Sequence, residues 1–424
     1  MKKYLFFILT AFIFHSLNSA DAKFIVVSDT HLYDTIFGCD GDAFQKYLDS
    51  DRKLLKESSA ILDKFISDID TIDYNFIIVS GDLTKDGEAA CHSLFREKMD
   101  YLIDKGKKIF VINGNHDINN PDAHSFSGNN IDDEESIDEG FFKKHYFEYG
   151  YSEAVSCDTA SLSYEVNPID NLYVIALDGC RYDENYKLKT PVTGGKLKKE
   201  TFKWLEKELK KIKAQNGTVI VFMHHGVIEH FKGQKKGYGD YILSNNKELK
   251  NLFSKYNVQI VFTGHFHAND IAREKVKNVN LFDIETGSLV TSPCPYRIVT
   301  LSDSILNIDT RHIEELDGVD DFNDYKTSFI KQGIKQIAYE KVKSLGVNEK
   351  DTDRLADKVA YSFVSHYSGD EVYPEGFLDM NGFSFKAKLV AFFQRDLFRG
   401  LLFDSTPDND VIINLNTGEI KKIE

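Results

Sequence analysis

Five short motifs in the sequence combine residue types that bind transition metals. In chain order they are Asp29-Thr30-His31, Gly81-Asp82, Gly114-Asn115-His116-Asp117, His224-His225 and Gly264-His265-Phe266-His267. Imidazole and carboxylate ligands together suit borderline ions such as Mn, Fe and Zn. The five cysteines lie far apart and include no C-x-x-C pair, so a thiolate zinc site is not predicted.

Each motif directly follows a short apolar run that has the pattern of a strand. The predicted strands cover residues 24–27, 76–79, 109–112, 172–177, 218–222, 259–262 and 281–284. In open α/β sheets, ligands bind at the carboxyl ends of the strands, so residues far apart in the chain can converge there. One buried histidine or aspartate is ordinarily a hydrogen-bonded core residue. Five motifs in the same placement predict one shared site.

The segments between these strands predict an α/β domain followed by a smaller, mostly helical one. Apolar residues at three-and-four spacing predict helices over 54–69 and 202–212, and the region from 320 to 400 has the same pattern. We expect one domain over residues 23–312 and another over 313–424. The polar stretch from Asn119 to Gly140 is interpreted as a loop, either a surface excursion or a lid over the site.

The first 22 residues have the layout of a secretory signal peptide. Lys2 and Lys3 precede an apolar run, and small residues follow it. A membrane anchor is the alternative, but the run is shorter than the roughly 20 residues that span a bilayer. We therefore predict export to the periplasm or the cell exterior, with no membrane span after cleavage. The net charge of −15 disfavours a nucleic-acid polymer as partner and leaves room for a small anionic substrate at a metal site.

Together the motifs resemble those of the calcineurin-like metallophosphoesterases, whose pattern is D-x-H, G-D, G-N-H-D or G-N-H-E, a later His, and G-H-x-H. The resemblance spans roughly residues 23 to 310. It implies a four-layer αββα sandwich, here with the helical C-terminal domain added, and two divalent or trivalent ions (Mn, Fe or Zn). By the same resemblance the first ion is held by Asp29, His31, Asp82 and His267, and the second by Asp82, Asn115, His224 and His265. Gly226 stands where the family usually has a proline, so His225 remains an alternative to His224.

The His-His pair and the C-terminal extension look most like a bacterial subgroup related to class III cyclic-nucleotide phosphodiesterases. Three further segments share this likeness: Ser161-Leu162-Ser163-Tyr164, Thr193-Gly194-Gly195 and Pro295-Tyr296-Arg297. The expected function is hydrolysis of a small phosphodiester such as a cyclic nucleotide. Two enzyme-bound ions lower the pKa of a shared water, so a bridging hydroxide is the expected nucleophile. His116 is expected to act as general acid or electrostatic stabiliser, oriented by Asp117.

Two other functions remain open at this point. A phosphomonoesterase or nucleotidase can use the same ligand set, because the shape of the pocket decides the substrate. A metal-bearing scaffold that binds a partner through its C-terminal domain is the non-enzymatic alternative.

Overall fold

The protein is represented by a computed structural model that describes residues 21–49, 51–369, 371–403 and 406–423. The strands are β1 (Ala22–Val27), β2 (Phe76–Val79), β3 (Lys108–Val111), β4 (His124–Ser127), β5 (Asn130–Asp133), β6 (Ala154–Cys157), β7 (Tyr164–Ile169), β8 (Leu172–Leu177), β9 (Thr218–Met223), β10 (Ile260–Thr263), β11 (Asp270–Val276), β12 (Val279–Glu285), β13 (Pro295–Ser302), β14 (Ile305–His312), β15 (Val411–Asn414) and β16 (Glu419–Lys422). The α-helices are α1 (Asp42–Leu48), α2 (Ser58–Asp70), α3 (Ala89–Asp104), α4 (Glu139–His145), α5 (Asn185–Leu188), α6 (Lys199–Ala214), α7 (Gln234–Gly237), α8 (Asn246–Tyr256), α9 (Phe322–Ser344), α10 (Glu349–Ser368), α11 (Phe385–Phe393) and α12 (Arg395–Gly400).

Two seven-stranded sheets form the centre of the molecule. The first has the order β16-β15-β14-β13-β1-β2-β3 and the second the order β11-β12-β10-β9-β8-β7-β6. Strands β1, β2 and β3 are parallel, and so are β8, β9, β10 and β12. Parallel strands end at the same edge of a sheet, so the loops that follow β1, β2, β3, β9 and β10 can meet in one crevice.

The sheets pack against each other, and helices cover their outer faces. Phe24 of β1 meets Phe262 of β10 edge to face, with ring centroids 5.5 Å apart. Helices α2 and α3 bury apolar side chains in the same core as the first sheet. Trp204 of α6 and Phe253 of α8 pack with residues of β9 and β10. The expected four-layer αββα sandwich is confirmed.

All seven predicted strands are present, with ends that differ by at most two residues. The stretch from Asn119 to Gly140 is not only a loop, because β4 and β5 form a hairpin within it. The hairpin packs on α1 through Phe126, whose ring lies 5.3 Å from that of Phe44. The helix predicted over 54–69 begins at Ser58.

The helical region returns to the first sheet at its end. Helices α9 and α10 pack together through residues such as Ile330, Ala360 and Phe363. After α12, β15 pairs with β14 and β16 pairs with β15. The region 313–424 therefore contains helices α9 to α12, as expected, and also two strands that the sequence pattern did not indicate. No helix in the described ranges is long and apolar enough to cross a membrane. Nearly all of the predicted signal peptide lies outside the described residues.

Candidate dimetal site

The first cluster of ligand-type atoms brings together residues from three loops. One atom each of Asp29, His31, Asp82 and His267 lies within 4.8 Å of the others, and all four residues are buried. His31 Nε2 is 3.2 Å from His267 Nε2 and 3.6 Å from Asp82 Oδ2. Ligands about 2.0–2.2 Å from a tetrahedral ion lie roughly 3.3–3.6 Å from one another. The spacing of the cluster therefore fits one transition-metal ion.

A second cluster adjoins the first and shares Asp82 with it. It contains Asp82, His224 and His265, all of them buried. His224 Nε2 lies 3.2 Å from Asp82 Oδ2 and 3.1 Å from the side-chain oxygen of Asn115. The same carboxylate oxygen of Asp82 thus faces His31 on one side and His224 on the other. A shared carboxylate of this kind is suited to bridging two ions.

Three residues of the first cluster, Asp29, His31 and His267, have the chemical states that a metal requires. Asp29 Oδ1 is buried and accepts no hydrogen bond from any described residue, although it lies 3.3 Å from His267 Nε2. Burial, helped by the positive charge of Lys53, lowers the pKa of His31 and that of His267. Neutral imidazoles keep a lone pair for a metal, so these residues fit the ion that the family pattern implies.

Two histidines of the second cluster are oriented by backbone carbonyl groups. His224 Nδ1 lies 3.0 Å from the carbonyl oxygen of Ser80, which leaves Nε2 to face Asp82. His265 Nε2 lies 3.1 Å from the carbonyl oxygen of Thr193, which leaves Nδ1 as its free ligand atom. A hydrogen bond at one ring nitrogen selects the tautomer that presents the other to a metal.

The structure separates the two histidines of the His-His pair. His224 belongs to the second cluster, whereas His225 points its Nε2 at the carbonyl oxygen of Thr193, 2.9 Å away. A Cβ atom at Gly195 would lie 2.6 Å from the His225 ring, so only glycine fits there. The Thr193-Gly194-Gly195 segment is therefore a support for His225 and His265.

Several residues of the two clusters have backbone conformations that L-amino acids rarely adopt. The φ angle is positive at Asp29, His31, Asp82, His265 and His267, with values of 51°, 36°, 48°, 77° and 70°. Such strain costs of order 1–3 kcal/mol per residue and is concentrated at functional sites. The motif glycines serve close packing, because a Cβ at Gly114 would lie 2.0 Å from Asp82 Oδ1.

His116 lies beside the ligand clusters but belongs to neither. Its ring meets that of His31 edge to face at 5.0 Å, and a quarter of its side chain is exposed. Its Nδ1 lies 2.8 Å from Asp86 Oδ1. Burial opposes protonation of His116, but Asp82 and Asp86 outweigh it and raise the pKa.

From the sequence, Asp117 was expected to orient His116. In the structure the carboxylate beside His116 Nδ1 is that of Asp86. The Asp117 carboxylate accepts backbone hydrogen bonds from Leu83, Thr84 and Gly114, at 3.2, 3.0 and 2.7 Å. Asp117 therefore joins the loops after β2 and β3, and its oxygens are already used. The sequence offered one signal for Asp86, namely its position four residues after Asp82.

A buried lysine supports Asp86. Lys85 is fully buried, and its Nζ lies 2.5 Å from Asp86 Oδ2 and 3.1 Å from Glu88 Oε1. Burial of Asp86 would raise its pKa, but Lys85 and His116 outweigh that effect and lower it. An ionised Asp86 accepts a hydrogen bond from His116 Nδ1–H, which leaves His116 Nε2 available on the other side of the ring. Sequence reasoning identified neither residue.

The remaining segments that suggested the subgroup have structural contacts. Arg297 is fully buried and donates to the carbonyl oxygens of Glu285 and Asp408 at 2.8 and 2.6 Å. Tyr164 donates its hydroxyl proton to the carbonyl oxygen of Val111 at 2.7 Å. These two residues therefore hold the fold around the site and do not line it.

A buried neutral histidine behind the site makes stability depend on pH. His92 lies 3.0 Å from the carbonyl oxygen of Asp117, and burial lowers its pKa to about 3. Between that value and the ordinary 6.5 the unfolded chain binds the extra proton, so stability falls as the pH falls. We expect His92 alone to remove about 2 kcal/mol of unfolding free energy between pH 7 and pH 5. Urea titrations of metal-free wild type and His92→Gln at both pH values measure this, and equal pH dependence in the two proteins contradicts it.

Comparisons with known proteins place this geometry in a family. The sequence profile described as calcineurin-like phosphoesterase matches residues 22–269. A similar solved structure is a dimetal phosphatase from Danio rerio, which is 14% identical with a TM-score of 0.50 over 69% of this chain and 96% of that chain. A conserved uncharacterized protein from Streptococcus pneumoniae TIGR4, described as a predicted phosphoesterase, is 13% identical with a TM-score of 0.28 over 69% and 90% of the two chains. No curated protein matches the chain. Because the family profile covers more than half of the 424 residues, the chain belongs to the calcineurin-like phosphoesterase family.

Proposed function

We propose that this protein is a phosphodiesterase that hydrolyses small diesters such as cyclic nucleotides. The observation that carries the hydrolytic part is the pair of buried clusters that share Asp82, with His116 beside them. Asp29, His31, Asp82 and His267 would hold one ion, and Asp82, Asn115, His224 and His265 the other. When bound, such a pair supplies Lewis acidity and a water of lowered pKa.

In this proposal His116 handles the leaving group. Asp86 holds the ring at Nδ1, so Nε2 is the atom that donates a proton to the departing oxygen. The raised pKa of His116 favours the protonated form that such a donor needs. Asp86 is a positioning residue, since its carboxylate acts on the substrate only through His116.

The charges around the clusters support a diester over a monoester. Lys53 Nζ lies 3.4 Å from Asp51 Oδ2, and Arg52 donates a hydrogen bond to Tyr367 at 2.5 Å. Both of these cations thus have partners within the protein. A diester carries one negative charge near neutral pH, and a monoester carries close to two. The resemblance to the class III subgroup supports the same choice.

A substrate panel tests the proposal. Metal-stripped protein is reconstituted with Mn²⁺, and kcat/KM is measured for 2′,3′-cyclic nucleotides, 3′,5′-cyclic nucleotides and nucleotide monophosphates. We expect at least one cyclic diester to exceed its matching monophosphate by about 10-fold or more, which is 1.4 kcal/mol of transition-state discrimination. A preference for monophosphates would favour a phosphomonoesterase, the class suggested by the name of the Danio rerio phosphatase. Absence of turnover with every ester would favour the non-enzymatic alternative, a metal-bearing scaffold that binds a partner.

Export to the periplasm or cell exterior is a separate part of the proposal. It rests on the basic start, the apolar run and the small residues of the first 22 positions. Sequencing the N-terminus of the protein from its native cells should give a mature chain that lacks this segment. An intact Met1 in the cell-associated protein would contradict export with cleavage.

A further inference from the structure

A third group of ligand-type side chains lies where the helical region meets the second sheet. Asp270 is the first residue of β11, three positions after the ligand His267. His366 lies in the last turn of α10, and Glu371 follows the end of that helix. One atom each of Asp270, His366 and Glu371 lies within 4.8 Å of the others. None of the three belongs to the dimetal clusters.

Two oxygen atoms of this group lack partners although they are buried. The Asp270 and His366 side chains are fully buried, and that of Glu371 is 1% exposed. Asp270 Oδ2 and Glu371 Oε2 accept no hydrogen bond from the residues that the structure describes. Removing carboxylates from water is costly unless a cation or hydrogen bonds compensate. The two oxygens are therefore free to coordinate a cation.

The spacing of the three residues matches that of the dimetal ligands. His366 Nδ1 lies 2.7 Å from Glu371 Oε1 and 3.8 Å from Asp270 Oδ2. These values bracket the roughly 3.3 Å expected between ligands about 2.0–2.1 Å from a tetrahedral ion. An ion there would take the place of the proton that His366 shares with Glu371.

The surroundings hold the ligands in place as they do in metal sites. His230 Nδ1 lies 2.8 Å from Asp270 Oδ1, so the other oxygen of Asp270 is directed at His366. The His366 ring is held edge to face by Phe231, at 4.8 Å between centroids. Hydrogen-bonded carboxylates are a usual support of protein metal ligands.

We propose that Asp270, His366 and Glu371 form a third, structural metal site for one divalent transition-metal ion such as Zn²⁺. Two carboxylates and one imidazole suit zinc, and three protein ligands leave the fourth tetrahedral position for a water molecule. The ion would join α10 to the start of β11. It would therefore hold the helical region against the strand that follows the His265 and His267 ligands.

Metal analysis of variants tests the site. Chelator-stripped protein is loaded with Zn²⁺, dialysed and analysed for bound metal. We expect three equivalents in the wild type and two in His366→Gln, with Glu371→Gln as a second variant in case the first does not fold. His312→Gln, which replaces a histidine outside all three clusters, should keep three equivalents.

A second experiment measures metal binding at this site in a protein whose dimetal centre is disabled. Asp82→Asn/His224→Gln removes two dimetal ligands, and we expect this protein to retain one equivalent that raises its Tm. Adding His366→Gln should abolish both the equivalent and the Tm shift. The proposal is overturned if the wild type binds only two equivalents, or if His366→Gln and Glu371→Gln both still bind three. If Asp82→Asn/His224→Gln loses the dimetal ions and keeps the third, the third site is established independently of whether the proposed function is correct.

Discussion

Asp82→Asn is expected to lower kcat/KM by more than about 10³-fold, because transition-state stabilisation by bound metals is worth several kcal/mol. Asp82 Oδ2 lies 3.6 Å from His31 Nε2 and 3.2 Å from His224 Nε2, so one substitution affects both clusters. The change keeps the shape of the side chain and removes one of the two carboxylate charges among the proposed dimetal ligands. Elemental analysis should show at least one metal equivalent fewer than in the wild type.

The matched control for this prediction is Asp178→Asn. Asp178 is also a buried aspartate, but it accepts hydrogen bonds from Leu162 and Cys180 and belongs to neither cluster. Its variant should keep the wild-type metal content even if its stability falls. If Asp82→Asn keeps both its metal content and more than a tenth of its activity, Asp82 is not the shared ligand.

His116→Ala is expected to keep the metal content of the wild type while kcat falls about 10²- to 10⁴-fold, the usual contribution of a general acid. The ring lies outside both clusters, so its loss leaves every proposed ligand in place. The defect should shrink for an aryl diester with an acidic phenol, since such a leaving group departs without a proton. Steady-state kinetics with leaving groups of graded pKa measure this dependence.

Two further variants define the role of His116. Asp86→Asn should lower kcat less than His116→Ala and move the alkaline limb of the pH profile to lower pH, because a neutral partner no longer favours the protonated ring. His124→Ala, which replaces a partly exposed histidine of the β4 strand, should behave as the wild type. An equal defect for good and poor leaving groups in His116→Ala would contradict proton donation.

Local sequence patterns are sufficient to predict the strands that precede the site motifs. Each motif follows a strand whose apolar run is short and nearly continuous, which is typical of parallel strands buried on both faces. For this reason β2 and β8 were predicted to the residue. Antiparallel strands such as β13 and β15 were missed, since partial exposure and contacts from distant segments determine their pairing.

Side-chain partnerships were harder to predict than side-chain identities. Asp117 follows His116 directly in sequence, yet its carboxylate faces the backbone of the loop after β2. Asp86 reaches His116 across 30 positions, and only the folded loop brings the two together. The choice between His224 and His225 is of the same kind, because adjacent residues point in different directions and the surrounding carbonyl groups decide which one meets Asp82.

The sequence by itself determined the α/β class, the order of the motifs and the metal-binding character of the residues, because strand periodicity and ligand chemistry are local properties. Tertiary structure alone decided that Asp86 holds His116 and that Asp270 meets His366 nearly a hundred residues later. These contacts depend on how separate elements pack, and residue patterns within one element carry little information about that packing.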